Sequence, residues 1–265
     1  MTGIMVAIVG ACIAGHGPGS PGGLVPRAAD SVAVVLNLPA YRLDLRAGGS
    51  TISFPVAIGA ARYPTPRGQF VLRRIELNPD WVPPPSDWAR NRAPMGPGPR
   101  NPMGRAKVEF LATYYLHGTP EPESVGAAAS HGCVRLRNAD VLAFAAHLLA
   151  WGRPDLDGAT IARWVADPVT RRRLALERHS TLLVRYDLIE VRGGRVEVHG
   201  DPYRLRSDST DAVAQALLIE HFAPRPVPEG VARALLDRAR EGPFVISADS
   251  ASAGLLPGPD EPIAQ

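Results

Sequence analysis

Apolar residues in the first third of the chain come in short blocks cut by turn residues. Residues 31–38 (SVAVVLNL), 41–45, 51–58 and 70–75 are rich in Val, Ile, Leu and Phe. Pro39, Gly48-Gly49, Gly59 and Pro64-Thr65-Pro66-Arg67-Gly68 bound them. Short β-rich blocks at that spacing predict the strands of a sandwich. Residues 108–116 (VEFLATYYL) return to the same character and lead straight into His117. Between them, residues 78–104 carry no period of 2 or 3.6. A stretch that long inside a compact domain is a functional element when it is ordered. Trp81, Trp88 and Pro83-Pro84-Pro85 favour an ordered cover over a groove, because prolines limit the entropy lost on ordering.

A helical period starts after residue 137. Asn138 reads as an N-cap, Val141, Phe144, Ala145, Leu148 and Leu149 repeat at i, i+3, i+4, i+7 and i+8, and Gly152 ends the run. The stripe reads as core packing, and His147 on it as structural. Residues 158–178 predict a further helix, with Arg171-Arg172-Arg173 as a solvated face. Residues 181–189 and 195–199 predict paired strands around Gly193-Gly194, and 210–222 and 229–241 two more helices. The expected fold is mainly β: a sandwich with a long covering loop and flanking helices, plus a smaller α+β subdomain. The expected boundaries are signal and linker to residue 30, a catalytic domain over 31–160, the C-terminal subdomain over 161–250 and a tail over 251–265.

Composition narrows the class. The 265 residues carry 26 glycines and 27 prolines without a collagen period, which implies turn-rich loops. The net charge of +3 rests on arginine, since Lys107 is the one lysine. So small and dispersed a surplus does not point to nucleic acid. No apolar run approaches the roughly 20 residues of a membrane span. Residues 1–14 (MTGIMVAIVGACIA) are apolar and free of charged side chains, and GHGPGSPGG follows. That resembles the core of an export signal running into a linker, and Cys12 sits where a lipoprotein signal would acylate it. The alternative is a buried N-terminal strand or helix. With only Cys12 and Cys133 in the chain, a disulfide-stapled scaffold is excluded.

The informative segment is Tyr115-Leu116-His117-Gly118-Thr119, followed after a small-residue loop by Ser130-His131-Gly132-Cys133-Val134-Arg135-Leu136. A thiol near its free pKa of roughly 8.5 is a weak nucleophile until an imidazole takes its proton. In an extended segment His131 and Cys133 face the same side. Gly132 lets the backbone turn so that consecutive N–H groups point inward, as an oxyanion hole requires. Two other readings stand beside this one: a buried inert cysteine with two satisfied histidines, and a zinc site from His117, His131 and Cys133.

These motifs resemble the L,D-transpeptidase catalytic domain, the YkuD-domain family of envelope enzymes, in its Gram-negative ErfK-like form. Thr65-Pro66-Arg67-Gly68-Gln69-Phe70 resembles the family's TP-x-G-x-F turn. Asn78-Pro79-Asp80-Trp81-Val82-Pro83-Pro84 and Pro97-Gly98-Pro99-Arg100-Asn101-Pro102-Met103-Gly104 resemble two of its loops. The resemblance implies Cys133 as nucleophile and His117 as general base oriented by the Gly118 carbonyl. It further implies His131 as an assisting group, and the N–H groups of Gly132 and Cys133 as the oxyanion hole. Arg135 is implied to bind a substrate carboxylate or to sit in a structural ion pair, with Ser130, Thr119 and Tyr115 shaping the substrate pocket. The implied partners are peptidoglycan stem peptides (a donor tetrapeptide and an amine acceptor) and carbapenem-type inhibitors. No cofactor or metal is implied, and the location is the periplasm or cell envelope.

Overall fold

The computed structural model describes residues 32–254. The expected export-signal segment, the lipid anchor expected at Cys12, and residues 255–265 of the tail therefore lie outside the described residues. In chain order the elements are β1 (Val32–Asn37), β2 (Arg42–Ala47), β3 (Ser50–Pro55), β4 (Ile58–Gly59), β5 (Gly68–Leu77), β6 (Ala106–Leu111), β7 (Tyr114–Thr119), β8 (Ala128–Ser130) and β9 (Val134–Arg137). Then come α1 (Asn138–Gly152), α2 (Gly158–Ala166), β10 (Arg172–Arg185), β11 (Ile189–Arg192), β12 (Arg195–Val198), α3 (Asp208–Phe222), α4 (Val231–Arg238), β13 (Phe244–Ser247) and α5 (Ala248–Ser252).

Eight strands form one sheet in the order β3-β2-β1-β10-β5-β6-β7-β9. Alternation along each strand sends one face to the core: Val34 and Leu36 from β1, Leu43 and Leu45 from β2, Leu182 and Val184 from β10. The sheet folds back on itself. The chain leaving β3 meets the opposite end, where Ala57 and Arg135 exchange backbone hydrogen bonds of 2.8 and 2.9 Å, and the Phe54 ring stands edge-on to Phe144 of α1 at 6.0 Å. The mainly β architecture expected from sequence is observed, its two layers supplied by one folded sheet. A second core gathers the three-stranded sheet β11-β12-β13 with α3, α4 and α5, from Leu188 to Ala251.

Several expected boundaries change. The first core does not end at residue 160. Strand β10 lies between β1 and β5 at the centre of the sheet, so the first core runs through β10 and the second gathers from Leu188 onward. The helix expected over 158–178 stops at Ala166, before Pro168, which cannot continue it. Arg172 and Arg173 then start a strand whose Leu174 and Leu176 face inward. All three arginines are paired, Arg171 with Asp80, Arg172 with Asp167 and Arg173 with Glu76. The single strand expected over 108–116 is a hairpin that turns at Thr113, in the left-handed region at φ 69°. The smaller unit also holds β13 and α5, neither of which the sequence pattern predicted as an element.

Candidate active site

Strands β6, β7 and β9 build the site by register. Antiparallel pairing sets Lys107 opposite His117, and parallel pairing sets His117 opposite Arg135. On the other face Val108, Leu116 and Val134 are buried in the core. Because side chains alternate across a strand, Lys107, His117 and Arg135 form one row on the outer face. Cys133, one residue ahead of β9, lies on that face diagonal to His117. Tyr115, His117 and Arg135 thus lie on neighbouring strands, with Cys133 just ahead of β9.

His117 is 3% exposed. Its Nδ1 lies 2.6 Å from the Gly118 carbonyl oxygen. A carbonyl only accepts, so Nδ1 carries the proton of this bond, and the Pro102 carbonyl is a second acceptor at the ring. Burial, reinforced by the charges of Arg135 and Lys107, pulls the imidazole down from 6.5 to about 4. Burial pushes the Cys133 thiol up, against the Tyr115 N–H directed at the sulfur and the positive charges of Arg135 and Lys107. The resting pair is therefore thiol and neutral imidazole. The sulfur sits 3.7 Å from the Thr113 carbonyl oxygen, an acceptor that favours the protonated form.

The imidazole's buried neutrality predicts an acid-labile fold. An unfolded chain binds the His117 proton near 6.5 and the folded chain near 4. Stability present above pH 6.5 is thus lost as the pH falls toward 4, by about 3 kcal/mol for a shift this size. Urea unfolding of wild type and of His117→Gln at pH 7 and pH 4 measures it. The variant is expected to lose less stability on acidification, and equal losses would refute the assignment.

The loop that carries the thiol is drawn tight by its own polar groups. Ser130, 3% exposed, accepts the Gly132 N–H at 3.1 Å and donates to the Cys133 carbonyl. Two expectations change here. Ser130 closes the turn rather than facing a substrate, and the Gly132 N–H is occupied rather than open to an oxyanion, which leaves the Cys133 N–H as the candidate donor of the two. Gly132 itself sits at φ 107°, and a Cβ there would come within 2.7 Å of the Tyr114 ring. That left-handed residue breaks the extended alternation, so His131 and Cys133 do not present side chains to one point.

His131 instead stacks on Trp88, with centroids 4.1 Å apart and planes at 17°, and the Tyr63 ring lies 5.0 Å away. Burial and the nearby charges of Arg135, Arg62 and Arg92 hold its pKa down. It is a wall of the groove. Trp88 reaches it from the covering loop, which is pinned by reciprocal Trp81–Met95 backbone bonds and by Asn101 Nδ2 donating to the carbonyls of Pro79 and Gly96. The ordered cover expected from the tryptophans and prolines is present. Among the described residues, His117, His131 and Cys133 do not gather their ligand atoms within 4.8 Å of one another, as the zinc alternative requires.

Two other expected substrate contacts are engaged elsewhere. Arg135 Nη1 donates to Glu121 Oε2 at 2.9 Å, which realises the ion-pair alternative. Thr119 is buried and its hydroxyl accepts the Glu121 N–H at 3.1 Å, so it closes a turn. Tyr115 offers its N–H to the sulfur while its ring faces the Lys107 ammonium at 5.0 Å. Asn138, expected to cap α1, is tethered beyond it: Oδ1 accepts the Arg105 N–H at 2.9 Å and Nδ2 donates to the Thr119 carbonyl at 3.2 Å.

Sequence reasoning missed Thr65 and Tyr203. Thr65 lies in a turn motif already noticed, whose hydroxyl was the available signal. Tyr203 lies 138 residues from Thr65, the residue it bonds, and no local pattern marks it. Away from the groove, Glu190, Glu197 and His199 place potential metal-ligand atoms within 4.8 Å of one another. The Arg42 guanidinium meets the two carboxylates at 2.5 and 2.7 Å, so this cluster is an ion network joining the two cores.

The family model for the L,D-transpeptidase catalytic domain (YkuD) matches residues 31–204, through β10 to one residue past Tyr203. The probable L,D-transpeptidase ErfK/SrfK of Salmonella typhimurium is 30% identical over 165 residues, covering 54% of this chain and 53% of that protein. The probable L,D-transpeptidase YbiS of Escherichia coli is 34% identical over 118 residues, covering 41% and 39%. The chain spans about half the length of the first curated relatives it matches. An L,D-transpeptidase structure from Mycobacterium smegmatis aligns over 58% of each chain at 18% identity, with a TM-score of 0.37.

Proposed function

Because the chain belongs to the L,D-transpeptidase catalytic-domain family, we propose that it transfers acyl groups between peptidoglycan stem peptides through a thioester on Cys133. The observation that supports this reading is the parallel register of β7 with β9, which sets His117 opposite Arg135 with Cys133 just ahead of β9, and the imidazole held by the Gly118 carbonyl. The thiol turns from Thr113 toward His117 Nε2, which takes its proton as the sulfur attacks the carbonyl of the third, diamino-acid residue of a tetrapeptide. The new S–C bond forms a tetrahedral oxyanion facing the Cys133 N–H. As it collapses, the C–N bond to the terminal D-alanine breaks and the proton on His117 passes to the departing amine. An amine of a second stem, or of a protein destined for the wall, then attacks the thioester and returns the sulfur to its resting state.

Water in place of that amine makes the same site an L,D-carboxypeptidase. The proposed substrates lie in the periplasm or cell envelope, and the export-signal reading of residues 1–14 agrees with that location. No helix among the described residues is long and apolar enough to cross a membrane. Incubation with defined tetrapeptide muropeptides, read by mass, tests the proposal. Released D-alanine with cross-linked dimers is expected, dimers lacking free tripeptide would distinguish transfer from hydrolysis, and intact tetrapeptide alone would refute both.

A further inference from the structure

The turn before β5 and the end of the family-matched segment meet around the nucleophile loop through a closed set of hydrogen bonds. Thr65, 2% exposed, accepts the Gly59 N–H at 2.9 Å and donates its hydroxyl to the Gly132 carbonyl at 2.9 Å. The Thr65 N–H in turn donates to the Tyr203 hydroxyl at 3.1 Å, and that hydroxyl donates to the Gly59 carbonyl at 2.9 Å. The strands approach so closely that a Cβ on Gly59 would lie 2.9 Å from the Gly132 Cα. Tyr203 is itself anchored. Its N–H donates to the Tyr186 hydroxyl at 2.8 Å, its ring stacks on Tyr186 at 5.6 Å, and the Tyr186 hydroxyl donates to Asp201.

The Gly132 carbonyl and the Cys133 N–H belong to one planar trans peptide and point in opposite directions. Whatever holds that carbonyl therefore aims that N–H. The Thr65 hydroxyl holds it, and the Tyr203 hydroxyl holds the turn that presents Thr65. With the Gly132 N–H already given to Ser130, the Cys133 N–H is the donor of this turn that remains for an oxyanion, so its direction matters more than in a hole with two donors from the turn.

We infer that Tyr203, acting through Thr65, is a positioning residue for the Cys133 N–H that stabilises the oxyanion; the inference rests on the acyl-transfer reading above. Neither side chain touches substrate. The region after β10 thereby contributes to the chemistry and is more than a cap on the sheet.

The role is tested by comparing two reactions of one sulfur in the full chain. Acylation by a carbapenem passes through an oxyanion, whereas alkylation by iodoacetamide does not. Removing an oxyanion donor costs about 10²–10³-fold, so Thr65→Val is expected to slow acylation by about 10²-fold. Tyr203→Phe, which keeps the stacked ring, should slow it by about tenfold, and Thr65→Ser should restore it. Alkylation rates at Cys133 are expected to stay within about twofold of wild type in all three. Parallel losses in both reactions would mean that the loop has merely loosened, and unchanged acylation would mean that the clamp does not aim the donor. Either result overturns the inference. Wild-type protein that alkylates but never acylates would instead overturn the parent reading.

Discussion

Replacing Cys133 with alanine is expected to abolish acyl transfer while leaving a cooperatively folded protein. Incubated with a carbapenem, wild type should gain one adduct by intact mass, mapped to the peptide that contains residue 133, and Cys133→Ala none. Turnover on tetrapeptides should fall by ~10⁴-fold or more, since a nucleophile's removal leaves only binding and electrostatics. The fold should tolerate the change because the sulfur's hydrogen-bonding partner is the Thr113 carbonyl at 3.7 Å, a weak contact. The loop's geometry is set instead by Ser130, Thr65 and the left-handed Gly132. A loss of about 1 kcal/mol and a melting shift of about 3 °C follow for a domain of this size. Equal labelling of both proteins would remove Cys133 from the mechanism. A variant that fails to fold would show that the thiol holds the loop, and Cys133→Ser, of the same shape, would then separate structure from chemistry.

What the sequence made legible was whatever depends on neighbours in the chain. The strands β1, β2 and β5 announce themselves through β-branched blocks between Pro and Gly, and α1 through a stripe that becomes Val141, Phe144, Ala145, Leu148 and Leu149 in the core. The motifs that carry His117 and Cys133 were also legible, because each is a contiguous run of residues. The Thr113 turn was not, since neither Ala112 nor Thr113 is a turn residue and only cross-strand pairing of β6 with β7 forces the left-handed backbone. Strand β10 was hidden by arginines that read as a solvated helical face, yet find partners in Asp80, Asp167 and Glu76 from other segments. His131 was assigned by extended alternation that Gly132 breaks, and Trp88 takes its ring. Tyr203 follows the same logic: its two partners, Thr65 and Gly59, lie more than 130 residues away. Local chemistry pointed to the proposed nucleophile, and the contacts proposed to position its loop are long-range.

Replacing His117 with glutamine is expected to slow acylation by about 10³-fold at neutral pH, within the range for removal of a general base. The pH profile separates this cause from a loosened site. In wild type the thiol lies above its ordinary value and the imidazole at about 4. Between those two limits the fraction of the pair with its proton on nitrogen does not change with pH. Wild-type acylation is thus expected to be flat from about pH 5 to 8.5 and to fall as His117 charges below that range. Without the imidazole, only thiolate formed by solvent reacts, so the variant's rate should climb about tenfold per pH unit across the same window. Its iodoacetamide alkylation should climb in parallel, because both reactions then await the same deprotonation. A variant that keeps the flat profile at reduced height would place the base elsewhere, for instance on a group the substrate brings, and His117 would be left as a buried wall between Lys107 and Arg135.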